Sequence, residues 1–463
     1  MPDLKPAEIT SFAAALDYDE YQTFIARNPD LEAVEFLLVD PNGVLRGKWA
    51  PAASLEKAFT TGINFPQSLH GLDVWGREVP ATGLHIESGD VDGFFTAVPG
   101  TLKIVPWASR KTAQVLLRGY SAEGDLLRFD CRNALARITK AMAKRGQYPV
   151  VAFELEFYLL DPSDDMILAT PAPVGSATGP DRQRMYGLNQ LDEFSAFFEE
   201  LRHAAKVQDI PIDTIVSEAA PGQFEVNLNH RCDPLRAADE AVMLRRVVVA
   251  LARKHRLRAT FMPKPFMEHA GNGMHVHTSI IDEQGNNIFA SKSDGQEALE
   301  GAVAELIGTM AEGLLLFINS WNGFRRIQPG SYAPTRAIWG ENNRSVAVRI
   351  PASPPKARRI EHRIAGADAN PYLVMCAILQ AIYDGLDKRA TPPPPVAGNA
   401  YDDVRGTEQL PTSMKAAIKL MDDGDFCKRA LGPELTKIYG DIKRAETEAF
   451  EQEITPLERT TYL

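Results

Sequence analysis

The sequence predicts an α+β fold in two unequal parts. Three observations carry that prediction: a chain of 463 residues, a β-hairpin near its start, and strand-like runs from Tyr148 onward separated by helices without a regular repeat. The length exceeds what one small core organises and accommodates two domains, placed at residues 1–125 and 126–463. Hydrophobic residues at 44% and charged residues at 24% are ordinary values for a folded globular chain, without the low-apolar, high-charge signature of disorder.

Taken in order, apolar positions at helical spacing from Ile9 to Ala26 predict a helix. Asn28-Pro29 then leads into EAVEFLLVDPNGVLRGKWAP, which reads as strand, Pro-Asn-Gly turn, strand. The stretch TGINFPQSLHGLDVWGREVPATG carries turn residues throughout and is expected to be a long loop. TLKIVPW and the strand TAQVLLRGYS close the smaller part, and a helix from Arg132 to Arg145 opens the larger.

Next come the strand VVAFELEFYLLD, a polar loop to Asn189, a helix from Leu191 to Val207, the strand region SEAAPGQFEVNLN, and a helix from Ala238 to His255. ATFMPKPF, GMHVHTSII, a long helix from Leu299 to Ser320, SVAVRIP and RRIEHRIAG follow. TPPPPVAGNAYDD is a proline-rich hinge before a helical C-terminal piece. The absence of a regular βα alternation favours α+β over a Rossmann sheet, and neither a G-x-G-x-x-G nor a Walker lysine motif is present.

A net charge of −11 argues against a nucleic-acid surface and suits a cationic substrate. Cys131, Cys232, Cys376 and Cys427 are scattered without C-x-x-C spacing and read as buried thiols of a reducing compartment. Acids interrupt the opening MPDLKPAEITSFAAALDYDE where a signal peptide needs an apolar run, and LIGTMAEGLLLFI is too short to span a bilayer. A cytoplasmic location without membrane contact is expected.

Alternate residues of a strand share a face, so VAFELEFYLL presents Glu154, Glu156 and Tyr158 on one side and Phe153, Leu155 and Phe157 on the other. Two carboxylates on one face repel unless a cation lies between them, although an isolated pair of acids is more often simply solvated. The pattern recurs with Gln223, Glu225 and Asn227, with Glu218 just upstream, then with His275, His277 and Ser279, and with Arg359, Glu361 and Arg363. Gln, Asn and His are not the Lys/Glu mixture of a solvated face, which points to a shared polar cleft. A glutamate-rich set with few nitrogens and no thiolate suits Mg²⁺ or Mn²⁺ rather than zinc. Arginines in FRRIQPG, ENNRSVAVRI and KARRIEHR match phosphate and carboxylate, and together with such metals they indicate phosphoryl transfer onto a carboxylate.

FELEF, SEAAPGQFEV, MPKPFMEHAGNGMHVHTS, RRIQPGSYAPTRAIWGENNRSVAVRIP and KARRIEHRIAGADANPYL occur here in an order that resembles the glutamine synthetase family from about Asn28 to Asp387. The resemblance implies a small β-grasp domain followed by a catalytic α/β domain with a curved, mostly antiparallel sheet. It also implies a dodecamer of two stacked hexameric rings with active sites between neighbouring subunits. One metal would be held by Glu156, Glu218 and Glu225, and a second by Glu154, His275 and Glu361. His277 and Ser279 would face the nucleotide, Arg344, Arg349, Lys356 and Arg359 the phosphates, and Gly271, Arg326 and Arg363 the substrate L-glutamate. The implied chemistry uses ATP and two or more Mg²⁺ or Mn²⁺ ions per site to form γ-glutamyl phosphate, which an amine then attacks. Arg326, Arg344 and Tyr332 are the expected catalytic residues.

Ammonia-using members hold ammonium with the aspartate of F-D-G-S-S and the glutamate of P-G-Y-E-A-P. Here the first loop reads Phe65-Pro66-Gln67-Ser68 and the second Pro329-Gly330-Ser331-Tyr332-Ala333-Pro334. Loss of both acids removes the negative pocket that binds ammonium and the base that deprotonates it. With NPDLEAVEFLLVDPNGVLRGK, the EHAGNGMH loop and AIWGENNR, these departures look like the γ-glutamylputrescine synthetase branch, which joins glutamate to a primary amine of putrescine in polyamine breakdown. Pro66, Ser68, Tyr186 and Tyr332 are then the amine-side candidates, the two tyrosines packing methylenes or holding a cation over a ring, or else filling space. Ala270 replaces an asparagine that closes over glutamate in the ammonia enzymes. Tyr401-Asp402 resembles the adenylylated site of bacterial members, but its surroundings do not match and that control is not predicted. A ligase for isopropylamine, methylamine or ethanolamine, a true glutamine synthetase, and a catalytically inactive structural or regulatory member are the alternatives.

Overall fold

The computed structural model describes residues 18–121, 124–162, 185–291, 293–402 and 409–463. Its first helix runs over Tyr18–Arg27, and the earlier part of the predicted one, from Ile9, lies outside the described residues, as does most of the polar loop before Asn189.

Six strands build the first sheet: β1 (Ala33–Val39), β2 (Leu45–Pro51), β3 (Ile63–Pro66), β4 (Asp92–Ala97), β5 (Lys103–Ile104) and β6 (Thr112–Tyr120). They lie in the order β2-β1-β6-β4-β3, with β5 also on β6, and β1 runs parallel to β6 from Ala33↔Thr112 to Leu37↔Leu116. The hairpin turn at Pro41-Asn42-Gly43 requires a left-handed residue, and Gly43 supplies it at φ +77°. Asn370 receives this turn: its Nδ2 donates to the Asp40 and Pro41 carbonyls at 3.0 and 3.3 Å, and its Oδ1 caps the helix Pro371–Lys388. The N-terminal hairpin is thereby tied to the helix at the centre of the larger part.

The second sheet contains β7 (Tyr148–Leu160), β8 (Ile212–Ser217), β9 (Gln223–Leu228), β10 (Arg258–Thr260), β11 (Met274–Ile281), β12 (Trp339–Glu341), β13 (Val348–Ile350) and β14 (Ile360–His362). The order is β12-β13-β14-β11-β7-β9-β8 with β10 also on β7, antiparallel except for β12 and β13, and the sheet is strongly curled. One face is apolar: Phe153, Leu155 and Phe157 of β7 and Phe224 and Val226 of β9 are fully buried. Burial of each such side chain contributes roughly 1.5–3 kcal/mol. The same cluster takes in Phe36 and Val115 of the first sheet and Leu379 of the central helix. The opposite face of β7 is left for Glu154 and Glu156.

Several predicted elements differ: the helix expected from Leu191 to Val207 is divided into Leu188–Glu193 and Ser195–Val207. Within the expected loop, Ile63–Pro66 forms β3, because Ile63 and Phe65 alternate inward against β4 and outweigh the turn residues around them. The expected helix from Leu299 to Ser320 is divided into Asp294–Gly308 and Leu314–Phe317, with a break where Glu312 turns to accept the Phe426 amide at 2.8 Å. Of ATFMPKPF only Ala259 and Thr260 are strand, the end of β10, since Pro263 and Pro265 have no amide to donate to a ladder. The central helix shows little periodicity because it is buried almost all round.

Candidate active site

Strand register assembles the polar face. His275 of β11 stands opposite Glu154 of β7, which stands opposite Asn227 of β9. One row along, His277 pairs with Glu361 of β14, and Glu361 with Arg349 of β13. In the row on the other side, Glu156 pairs with Glu225. Glu218 follows directly after β8, the strand beside β9. Side chains two residues apart on each strand therefore converge from five strands onto one concave surface.

Ligand atoms of Glu156, Glu218 and Glu225 lie within 4.8 Å of one another, as do those of Glu154, Glu225 and His275, and those of Glu154, His277 and Glu361. The first group coincides with one expected set. Of the second expected set, Glu154 is shared by the groups that contain His275 and Glu361, and the charge of Glu361 also acts on His275. Glu361 is also gripped by two guanidinium groups, with Arg349 Nη1 at 2.7 Å and Arg363 as the second partner.

His277 Nδ1 accepts a hydrogen bond from Arg359 Nε at 3.1 Å, so its proton is on Nε2, which donates to Glu154 Oε1 at 2.8 Å. His275 Nδ1 faces Glu154 Oε2 at 3.2 Å. Burial, followed by the charge of Arg363, pushes His275 down to about 4, so it is neutral at ordinary pH and fit to ligate. Burial opposes charge on Glu154, but the hydrogen bonds of His275 and His277 outweigh it and hold the carboxyl well below its usual range. Burial opposes charge on Glu361 too, and Arg363 outweighs it, leaving the carboxyl at about 2.

The other three acids behave in the opposite way. Burial and the neighbouring Glu218 raise Glu156 to about 7. Burial raises Glu218, and burial with the charges of Glu154, Glu156 and Glu218 raises Glu225 well above its usual range. Arg326, Arg344 and Arg363 offset only part of this crowding, and a hard divalent cation supplies further counter-charge. The donor set, carboxylate oxygens with one or two imidazoles, fits Mg²⁺ or Mn²⁺.

A cavity of about 390 Å³ opens beside these groups, lined among others by Glu154, Asn227, His277, Ser279 and Arg359. Arg344 is exposed on the turn between β12 and β13, and its charge acts on Glu218 and Tyr186. Lys356 is exposed in the short turn Pro355–Ala357. Arg326 is buried, with Nη1 donating to Ile364 O at 2.8 Å. A Cβ at Gly271 would meet Pro263 O at 2.5 Å and Arg326 Cγ at 2.9 Å, and one at Gly273 would meet Arg326 Nη2 at 2.6 Å. Gly271 makes room for the stem of that side chain and Gly273 for its guanidinium. Tyr186 and Tyr332 are exposed and left-handed at φ +60° and +56°, conformations that cost a non-glycine residue energy and gather at functional loops. Pro66 ends β3 and Ser68 is buried in the following turn; neither lines the cavity.

Sequence patterns left several groups around the site without a role. Gln223 Nε2 donates to Gly271 O at 3.0 Å and Asn272 Oδ1 at 3.1 Å, and Tyr158 donates to Ala270 O at 2.6 Å, so the strand face also holds the 269–273 segment. Asp213, Asn229 and His230 line the cavity. Their only signal was position: Gln223 and Tyr158 lie on the alternating polar faces, whereas Asn229 and His230 follow the end of β9.

Two sheets, one bearing a carboxylate-rich polar face flanked by arginines, form a site fit to hold divalent cations and anions together, and the family follows from comparison. The catalytic domain of glutamine synthetase matches residues 128–462, and the chain belongs to the glutamine synthetase family. It is 38% identical over 445 residues to the gamma-glutamylputrescine synthetase PuuA of Escherichia coli strain K12, covering 95% of this chain and 93% of that one. It is 30% identical to the glutamate–isopropylamine ligase of a Pseudomonas species, covering 94% and 95%. A solved structure titled GmaS/ADP complex, conformation 1, superposes with a TM-score of 0.82 at 26% identity, covering 95% of this chain and 98% of that one.

Proposed function

We propose that this chain is an ATP-dependent glutamate–amine ligase whose amine is a primary amine of putrescine or another polyamine. The observation that carries it is the pairing of a full glutamate-activating face with Pro66 and Tyr332 where ammonia-using relatives place acids. Similarity to a γ-glutamylputrescine synthetase at 38% identity supports the same amine class.

Glu156, Glu218 and Glu225 would hold one divalent cation, and Glu154, His275 and Glu361 a second, drawing on Glu225 or His277 as the geometry allows. Such ions neutralise charge between anions and on the departing ADP. Arg326 and Arg363 hold the carboxylates of L-glutamate beside Gly271. Arg344, Arg349, Lys356 and Arg359 hold ATP phosphates, with His277 and Ser279 against the nucleotide. With both anions so oriented, a γ-carboxylate oxygen bonds to the γ-phosphorus and the bond to ADP breaks. The amine nitrogen then bonds to the acyl carbon, phosphate leaves, and the nitrogen gives up a proton. Tyr186 and Tyr332 flank the amine's approach. By the same resemblance the active unit is a dodecamer, with Pro66 and Ser68 of one subunit meeting the cleft of the next.

The test is phosphate release from ATP with glutamate, Mg²⁺ and separate amines: putrescine, spermidine, monoamines and ammonia. Turnover with diamines above monoamines and ammonia is expected. Activity confined to ammonia overturns the amine assignment, and no turnover with any amine overturns the ligase assignment.

A further inference from the structure

The proposed substrate carries two positive charges, and after one nitrogen has lost its proton to form the amide the other remains an ammonium. The positions that serve ammonium in ammonia-using relatives hold Pro66 and Tyr332. Glu154, Glu156, Glu218 and Glu225 are committed to one another and to the cations they fit. A carboxylate elsewhere near the polar face is needed, and the segment Met267–Gly273, tied to that face, carries one.

This segment is held at successive backbone positions. Lys264 Nζ donates to His269 O at 2.5 Å, Tyr158 to Ala270 O at 2.6 Å, Gln223 to Gly271 O at 3.0 Å, and Gly273 N to Glu156 Oε2 at 2.5 Å. Phe266 packs edge-on against Tyr158, with ring centroids 5.7 Å apart. Glu268 lies two residues further on and is exposed; among the described residues its charge acts on Lys264 without a close ion pair or hydrogen bond. It stands three residues before Gly271, at most about 10 Å of extended chain. It also shares the site's field: burial, then the charges of Glu156, Glu218 and Glu268, raise the Tyr158 hydroxyl.

We propose that Glu268 is the specificity residue for the second charge of the amine, its carboxylate pairing with the distal ammonium of an α,ω-diamine whose other nitrogen is directed at the glutamyl group beside Gly271. An exposed carboxylate suits a charge that persists through the reaction. Exposed Met267 beside it offers apolar surface for the methylenes between the two nitrogens. The inference rests on the glutamate–amine ligase function proposed above.

The experiment compares putrescine with n-butylamine, which has the same number of carbons but a single charge, in wild type and in Glu268→Gln, Glu268→Asp and Glu268→Lys of the full chain. Expected is a fall of about ten-fold in the ratio of kcat/KM for putrescine to that for butylamine in Glu268→Gln, carried by KM, as for loss of one charged partner. A steeper fall is expected in Glu268→Lys, recovery in Glu268→Asp, and no change in the KM for glutamate. If wild type uses putrescine and Glu268→Gln keeps its putrescine-to-butylamine ratio, or loses both amines equally, the role of Glu268 is overturned while the ligase function stands. If wild type uses no diamine, both fall.

Discussion

Glu156 shows at single-residue scale how the site balances charge. Its carboxyl accepts the Gly273 amide at 2.5 Å, yet burial and Glu218 raise it to about 7. Between the unfolded carboxylate range and about 7, the folded chain keeps a proton the unfolded chain has lost. The metal-free protein therefore loses stability as pH rises through that window. Cations bind only the ionised carboxylates, so Mg²⁺ should raise the melting temperature more at about pH 8 than at about pH 5.5. A calorimetric shift that is equal or larger at the lower pH contradicts this. Glu361 has the opposite sign: held at about 2 by Arg363, it contributes stability above the unfolded carboxylate range that is lost as pH falls toward 2. Glu156→Gln keeps the shape and the amide bond but removes a ligand charge, and should lower phosphate release more than about 100-fold. Its circular dichroism and assembly should be unchanged; near-normal turnover would contradict the metal assignment.

At the scale of elements, the site depends on strands whose apolar backs are locked in the core. Phe153 and Phe157 are fully buried behind the acidic face of β7, so register is strongly set: a slip of one residue would bury Glu154 and Glu156 and expose the phenylalanines. Phe153→Ala should cost about 3–5 kcal/mol and lower the metal response with it, measured by denaturant titration with and without Mg²⁺. The helices Asp294–Gly308 and Pro371–Lys388 cross at Gly301 and Gly385, where an added Cβ would lie 2.4 and 2.3 Å from the opposing glycine's carbonyl oxygen. Gly385→Ala should destabilise by about 1–3 kcal/mol through forced separation of the pair, visible as a lower melting temperature. Strand alternation made Glu154, Glu156, Glu225 and His275 legible because a period of two shows directly in sequence. Arg344 and Lys356 lie on turns with no period and were reached only through family motifs. Pro371–Lys388 was illegible for a different reason: burial on all sides removes the polar stripe that marks a surface helix.

For the molecule as a whole, the first sheet is anchored to the second part through Asn370, which holds the β1–β2 turn while capping the central helix. Within the described residues no helix is long and apolar enough to cross a membrane. The family resemblance predicts twelve subunits, so sedimentation should give twelve times the mass of one chain; a monomer with full activity would remove the proposed inter-subunit role of Pro66 and Ser68.

By itself the sequence determined the fold class, the strand faces that bear acids, the four buried free thiols and the glutamate-activating chemistry, since each follows from local period, composition or contiguous motifs. Tertiary structure decided which groups meet. It set His277 opposite Glu361 across the ladder, neutralised Glu361 with Arg349 and Arg363, and broke the long helix at Glu312. It also tied the backbone at Ala270 and Gly271, just beyond Glu268, to Tyr158 and Gln223. Contacts of that kind join residues far apart in the chain, and their partners are chosen by strand order and packing, which no local pattern encodes.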